Sequence, residues 1–217
     1  MDQATYLERW SALHGGTAPA GVVGGWLRIV HATATPFVRL RVPPDVVTLL
    51  GLLVAALAPW LAGQGRAGLV AAAGVIVASG LVDSLDGAVA VMTDRVTRWG
   101  AVLDAVVDRV SDAVIVGALW VAGAPPALCV AGVAVGWLHE YLRARAGAAG
   151  MAGVGRITVA ERPTRIIVVV MSLLAAATRP DDERWAWFGA LLLLVVGLVG
   201  FVQLVLVVRR ALAAGPG

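Results

Sequence analysis

The chain has 217 residues, 59% of them hydrophobic and only 14% charged, with a mean hydropathy of +0.86 and a formal charge of +3. Soluble domains carry about a quarter charged residues, and a water-soluble globule this apolar would expose too much apolar surface to stay dispersed. Disorder requires the opposite composition, so the expected class is an all-α integral membrane protein with one membrane domain.

Residues 1–42 read as an N-terminal cytoplasmic segment with a juxtamembrane helix. The opening Met1-Asp2-Gln3, with Glu8 and Arg9, lacks the basic start and apolar run of a cleaved signal peptide. Trp26–Phe37 reads as a short amphipathic helix, with Trp26, Ile29, Val30 and Phe37 on one face and Arg28 opposite. It either lies along the bilayer surface or caps the bundle from the water side.

Residues 43–217 read as a six-helix membrane domain. Six apolar stretches run approximately over 45–63, 67–91, 99–122, 126–146, 161–178 and 186–208, too long and unalternating for barrel strands. Pro43-Pro44 separates the first from what precedes it. Gly63-Gln64-Gly65, Gly123-Ala124-Pro125-Pro126 and Pro180-Asp181-Asp182 supply turns. With six spans the two termini share a side with the loops after the second and fourth. That side collects thirteen arginines, against Arg66, Arg179 and Arg184 on the other. The positive-inside rule puts the termini in the cytoplasm, in a multi-pass protein of the cell membrane. All 17 basic residues are arginine and none forms a nucleic-acid-binding tail, so no nucleic acid partner is expected. The single Cys129 offers no internal disulfide.

Charged residues inside spans are costly and usually functional. Asp83 and Asp86 lie three apart on the second span, Asp104 and Asp108 four apart on the third, so each pair shares a helix face. The antiparallel neighbours can present both pairs to one another. Four carboxylates that close repel strongly, so either several are protonated or cations compensate them. Oxygen ligands without cysteine or histidine select hard divalent ions, Mg²⁺ or Mn²⁺, and two such ions would form a clamp for in-line phosphoryl chemistry.

The run Asp83-x2-Asp86-Gly87-x2-Ala90, then Gly100-x3-Asp104-x3-Asp108, resembles the signature of the CDP-alcohol phosphotransferase family, D-x2-D-G-x2-A-R-x8-G-x3-D-x3-D. One fixed position departs: the family's arginine is Val91 here, with Arg95 or Arg98 as candidate substitutes. The resemblance implies that Asp83, Asp86 and Asp104 chiefly hold two divalent metals. It makes Asp108 the base that accepts the acceptor hydroxyl's proton while also touching a metal. It further implies that Gly87 and Ala90 lie against the cytidine of the CDP-linked lipid, that Thr97 sits near the nucleotide, and that Pro44-Asp45-Val46-Val47-Thr48 borders the same pocket. Homodimers are also implied.

Five arginines gather in the loop after the fourth span and its flanks: Arg143, Arg145, Arg156, Arg162 and Arg165. Guanidinium forks suit a phosphate-bearing acceptor, while topology signal and attraction to anionic headgroups offer another account. The segments Asp83–Asp112, Tyr141–Arg145 and Glu161–Arg165 most resemble actinobacterial phosphatidylinositol-phosphate synthases. The resemblance thus implies transfer of a phosphatidyl group from CDP-diacylglycerol to inositol phosphate, with release of CMP, and with Arg143, Arg162 and Arg165 on the acceptor. The alternatives are the same reaction with glycerol phosphate, phosphatidylglycerol or another polyol, or a catalytically degenerate CDP-lipid-binding scaffold.

Overall fold

Eight α-helices and no strand occur among the residues that the computed structural model describes, 1–13, 16, 19–151, 158–179 and 182–213, with Val22 described by its backbone alone. They are α1 Gln3–Leu13, α2 Gly21–Arg39, α3 Pro44–Ala62, α4 Gly65–Thr93, α5 Arg98–Val121, α6 Pro126–Ala148, α7 Arg162–Thr178 and α8 Arg184–Ala213. The six apolar stretches correspond to α3–α8, with ends displaced by a few residues. Arg156 and the Pro180-Asp181 part of the last turn lie outside the described residues.

Local chemistry sets the breaks. Pro44 opens α3 and Pro126 opens α6, where a missing N–H costs nothing. Gly65 (φ +70°) and Gly123 (φ +105°) take up the left-handed backbone of the turns on either side of α4 and α5. Three helices among the described residues, α3, α4 and α8, are long and apolar enough to cross a membrane. The long α5 and α6 interrupt their apolar sequence with charge, at Asp104, Asp108, Arg109 and Asp112 and at Glu140, Arg143 and Arg145, while α7 has 17 residues.

The chain divides into two compact units, Met1–Ala55 with Val77–Ser111 and Ala56–Ile76 with Asp112–Gly217. In the first, α1 is an element the apolar pattern does not announce. Asp2 caps it, its Oδ1 accepting the Thr5 N–H at 2.8 Å, and that bond holds the Asp2 carboxyl below the usual carboxylate range. Tyr6 of α1 is buried in one core with Leu27, Val30 and Ala34 of α2, Val47 of α3 and Leu85, Ala88, Val89, Val91 and Met92 of α4. The buried stripe of α2 is therefore rotated toward Leu27 and Ala34. Val30 and Phe37 lie on it, whereas Trp26 and Ile29, expected on the same face, stand exposed at its edge.

In the second unit α8 packs on α6 and α7 through a stripe of Ala186, Gly189, Ala190, Leu193, Gly197, Gly200 and Leu204. Small residues at such spacing bring helix backbones close. A Cβ on Gly197 would lie 3.2 Å from Val135, and one on Gly200 would collide with Ala160. Gly200→Val is therefore expected to destabilise the protein by about 1–3 kcal/mol through overpacking. Val199→Ala, at a position 46% exposed, should stay within about 0.5 kcal/mol. Thermal unfolding in detergent compares the two.

Candidate active site

Asp83 on α4 and Asp104 and Asp108 on α5 each offer a carboxylate oxygen, and the three oxygens lie within 4.8 Å of one another. Helical spacing explains the α5 pair, since residues four apart stack on one face, and α4 brings the third across. All three are only partly buried. Three anionic oxygens converging this way, with no thiolate or imidazole among them, form a donor set that fits Mg²⁺ or Mn²⁺. The Asp108 carboxylate also meets the guanidinium of Arg109 at 3.4 Å.

The fourth aspartate is held differently. Asp86 is buried, its Oδ2 accepts the Thr48 hydroxyl at 2.6 Å, and its Oδ1 accepts the Gly87 N–H at 2.5 Å. Thr48 has one proton to donate, and the Pro44 carbonyl at 3.2 Å is its weaker acceptor. Thr48, expected as a pocket residue, thus also orients a carboxylate of the signature.

Beside these groups, within the first unit, is a cavity of about 230 Å³. All six residues expected to border the CDP-linked lipid line it: Pro44, Asp45, Thr48, Gly87, Ala90 and Thr97. Asp86, Asp104, Val91 and Arg95 complete much of the wall, and Arg98 is not part of it. A Cβ added to Gly87 would meet nothing within 4 Å, so the glycine leaves open room rather than relieving a clash. Thr97 doubles as the N-cap of α5, its Oγ1 accepting the Gly100 N–H at 2.9 Å. A Cβ on Gly100 would lie 3.1 Å from that hydroxyl oxygen, a local reason for glycine there.

The three arginines expected on the acceptor belong to the second unit, and each has a carboxylate partner. Arg165, buried at the start of α7, donates to Asp112 Oδ2 and to the Ala160 carbonyl, both at 2.9 Å. Arg162 reaches Asp112 Oδ1 at 3.4 Å, and Arg143 reaches Glu161 Oε1 at 2.7 Å and Glu140 at 3.7 Å. His139, fully buried on α6, meets the Thr158 hydroxyl at 3.0 Å, and that hydroxyl in turn lies 3.1 Å from Glu161. Among the described residues these three arginines and Asp112, Glu140 and Glu161 thus belong to one network of ion pairs. The sequence shows these acids only as isolated charges. The available signal is that Asp112, a carboxylate on an apolar helix, needs cationic compensation, from Arg109 one turn before it or from a neighbouring helix.

Comparison with known proteins follows the same lines. The model of the CDP-alcohol phosphatidyltransferase family matches residues 41–206. An archaetidylinositol phosphate synthase of Methanothermobacter thermautotrophicus is 34% identical over 77% of this chain and 82% of its own. A phosphatidylinositol phosphate synthase of Mycobacterium marinum is 37% identical over 76% and 70% respectively. Among solved structures, the phosphatidylinositol phosphate synthase of Mycobacterium tuberculosis with CDP-DAG bound superposes with a TM-score of 0.72 at 33% identity, covering 88% of this chain and 98% of that one. The same enzyme in complex with manganese and citrate gives a TM-score of 0.72 at 31% identity, over 87% and 92%.

Two outcomes test the site. Gly87→Ala should raise the melting temperature, because alanine favours a helix interior by about 0.5–1 kcal/mol, while weakening CDP binding measured by calorimetry. Unchanged affinity would mean the open face of Gly87 is not a binding surface. Arg165→Ala removes the 2.9 Å partner of Asp112 and should cost about 3–5 kcal/mol of stability. Arg165→Gln with Asp112→Asn, which removes both charges, should recover a large part of it in the same unfolding assay.

Proposed function

The chain belongs to the CDP-alcohol phosphatidyltransferase family, and we propose that it transfers a phosphatidyl group from CDP-diacylglycerol to inositol phosphate, releasing CMP. The observation that carries this reading is the cavity of about 230 Å³ whose wall joins Gly87, Ala90 and Thr48 to Asp86 and Asp104 of the signature. The relatives named above differ in the lipid they use, archaetidyl or phosphatidyl, and agree on inositol phosphate, which favours that acceptor over glycerol phosphate, phosphatidylglycerol or another polyol.

In this reading Asp83, Asp104 and Asp108, with Asp86 beside them, hold the divalent ions. Mg²⁺ or Mn²⁺ held by these carboxylates would supply positive charge against the pyrophosphate and the leaving CMP. Asp108 accepts the proton of the acceptor hydroxyl as its oxygen bonds to the phosphorus that carries diacylglycerol and the bond from that phosphorus to CMP breaks. Thr48 keeps Asp86 in one orientation. Gly87 and Ala90 give the cytidine a flat approach to α4. Arg143, Arg162 and Arg165 receive the acceptor's phosphate, and Arg165 also compensates Asp112. Because each of these arginines already has a carboxylate partner, a phosphate dianion binds by drawing an arginine from its carboxylate, so selectivity rests on geometry more than on net attraction.

The same reading makes the protein a multi-pass protein of the cell membrane, with α3–α8 spanning, residues 1–42 ahead of them as the N-terminal cytoplasmic segment, the termini and active site facing the cytoplasm, and α2 lying at the interface through Trp26 and Ile29. Two copies pair through their spans.

The experiment is CMP release by purified protein in detergent with CDP-diacylglycerol and Mg²⁺ or Mn²⁺. Release should require both metal and inositol phosphate, and Asp108→Asn should lower it by about 10²–10⁴-fold. Arg162→Ala should raise KM for inositol phosphate more than it lowers kcat. Release with glycerol phosphate instead would establish the alternative acceptor, and binding of the donor without release to any acceptor would establish a donor-binding scaffold.

A further inference from the structure

We propose that Arg95 supplies to the donor's phosphates the cation that position 91 lacks, and that α1 holds it in place through Arg9. The inference rests on the nucleotide reading of the cavity and goes beyond it in assigning a residue outside the signature.

Val91 cannot serve. It is 9% exposed and packs its aliphatic side chain into the core that α1 and α2 share with α4. Two residues later α4 stops, and the geometry of the stop matters. Asp94 adopts φ +58°, and the N–H of Arg95 bonds back to the carbonyl of Ala90 at 2.8 Å, the long back-bond of a Schellman turn. Aspartate tolerates that left-handed conformation better than most residues. The reversal returns the chain over the last turn of α4, so Arg95 joins Gly87, Ala90 and Val91 in the cavity wall. The signature's cation thus moves by one helical turn while remaining on the same cavity.

Charge supports the assignment. The wall carries Asp45, Asp86 and Asp104, and Arg95 is its one cation among the described residues. Asp94, the carboxylate nearest to Arg95 in sequence, is paired elsewhere, with Arg9 at 3.5 Å. The same Arg9 guanidinium donates to the Val91 carbonyl at 3.5 Å, at the open end of α4 where a cation is favoured. Arg9 therefore ties both the helix end and the turn residue to α1, and leaves the Arg95 fork for an anion. A positioning role for Arg9 and a phosphate-binding role for Arg95 follow from one arrangement.

The test compares CDP with cytidine, measured by calorimetry on the full chain in detergent with Mg²⁺. Arg95→Ala should weaken CDP binding about ten- to a hundredfold, as expected for one lost charge-assisted contact, and leave cytidine binding unchanged. Arg95→Lys should retain part of the difference, Arg9→Ala should lose a smaller part of it, and Arg98→Ala should bind both ligands as the wild type does. CDP binding unaltered in Arg95→Ala, or an equal loss for cytidine, would overturn the inference while leaving the transferase reading intact. A wild-type protein that binds neither ligand, and releases no CMP, would overturn both.

Discussion

Placing carboxylates inside apolar helices is the constraint around which each unit of this protein is organised. A buried charge is tolerated only when it is hydrogen-bonded and compensated, and the two units meet that demand by different means. In the second, Asp112, Glu140 and Glu161 are paired with Arg143, Arg162 and Arg165. In the first, Asp83, Asp104 and Asp108 converge with Arg109 beside one of them, while Asp86 relies on a hydroxyl and a backbone N–H. Converging carboxylate oxygens in the first unit fit a hard divalent cation, whereas the acids of the second unit are held by guanidinium groups.

The supporting structure follows from those demands. Close approach is needed wherever a polar group must be reached, and small residues provide it. The absent side chain of Gly200 lets Ala160 sit against α8, and the carbonyl of Ala160 is one of the two acceptors that fix Arg165. Thr97 spends its hydroxyl on capping α5, which sets the start of the helix that carries Asp104 and Asp108. The arrangement of the site is therefore tied to packing and capping as well as to the carboxylates themselves.

Local features were legible in the sequence, and distant pairings were not. Six long apolar stretches translate directly into α3–α8, and the spacing of Asp83, Asp86, Asp104 and Asp108 is a property of two helices read one turn at a time. Two partners of Asp112 lie 50 and 53 residues away on α7, beyond what periodicity can relate. The orientation of α2 depended on Tyr6, Leu85 and Val89, which packing on another helix supplies. α1 itself is short and mixed in character, and its amphipathic pattern is weak. What identifies it is a capping aspartate and one buried tyrosine, a signal too small to weigh without a partner surface.

That first helix has a consequence for where the protein can be divided. The family model begins at residue 41, yet Tyr6, Leu27, Val30 and Ala34 complete the same core as Val89 and Met92. The border of the family-matched segment is thus not the border of the cooperative folding unit. Cutting at that border would uncover an apolar face of α4 next to the nucleotide cavity and slacken the turn at Asp94. On the role proposed for Arg95, an arm of the chain that carries none of the signature would in this way tune how tightly the donor is held, while Asp83, Asp86, Asp104 and Asp108 stay as they are.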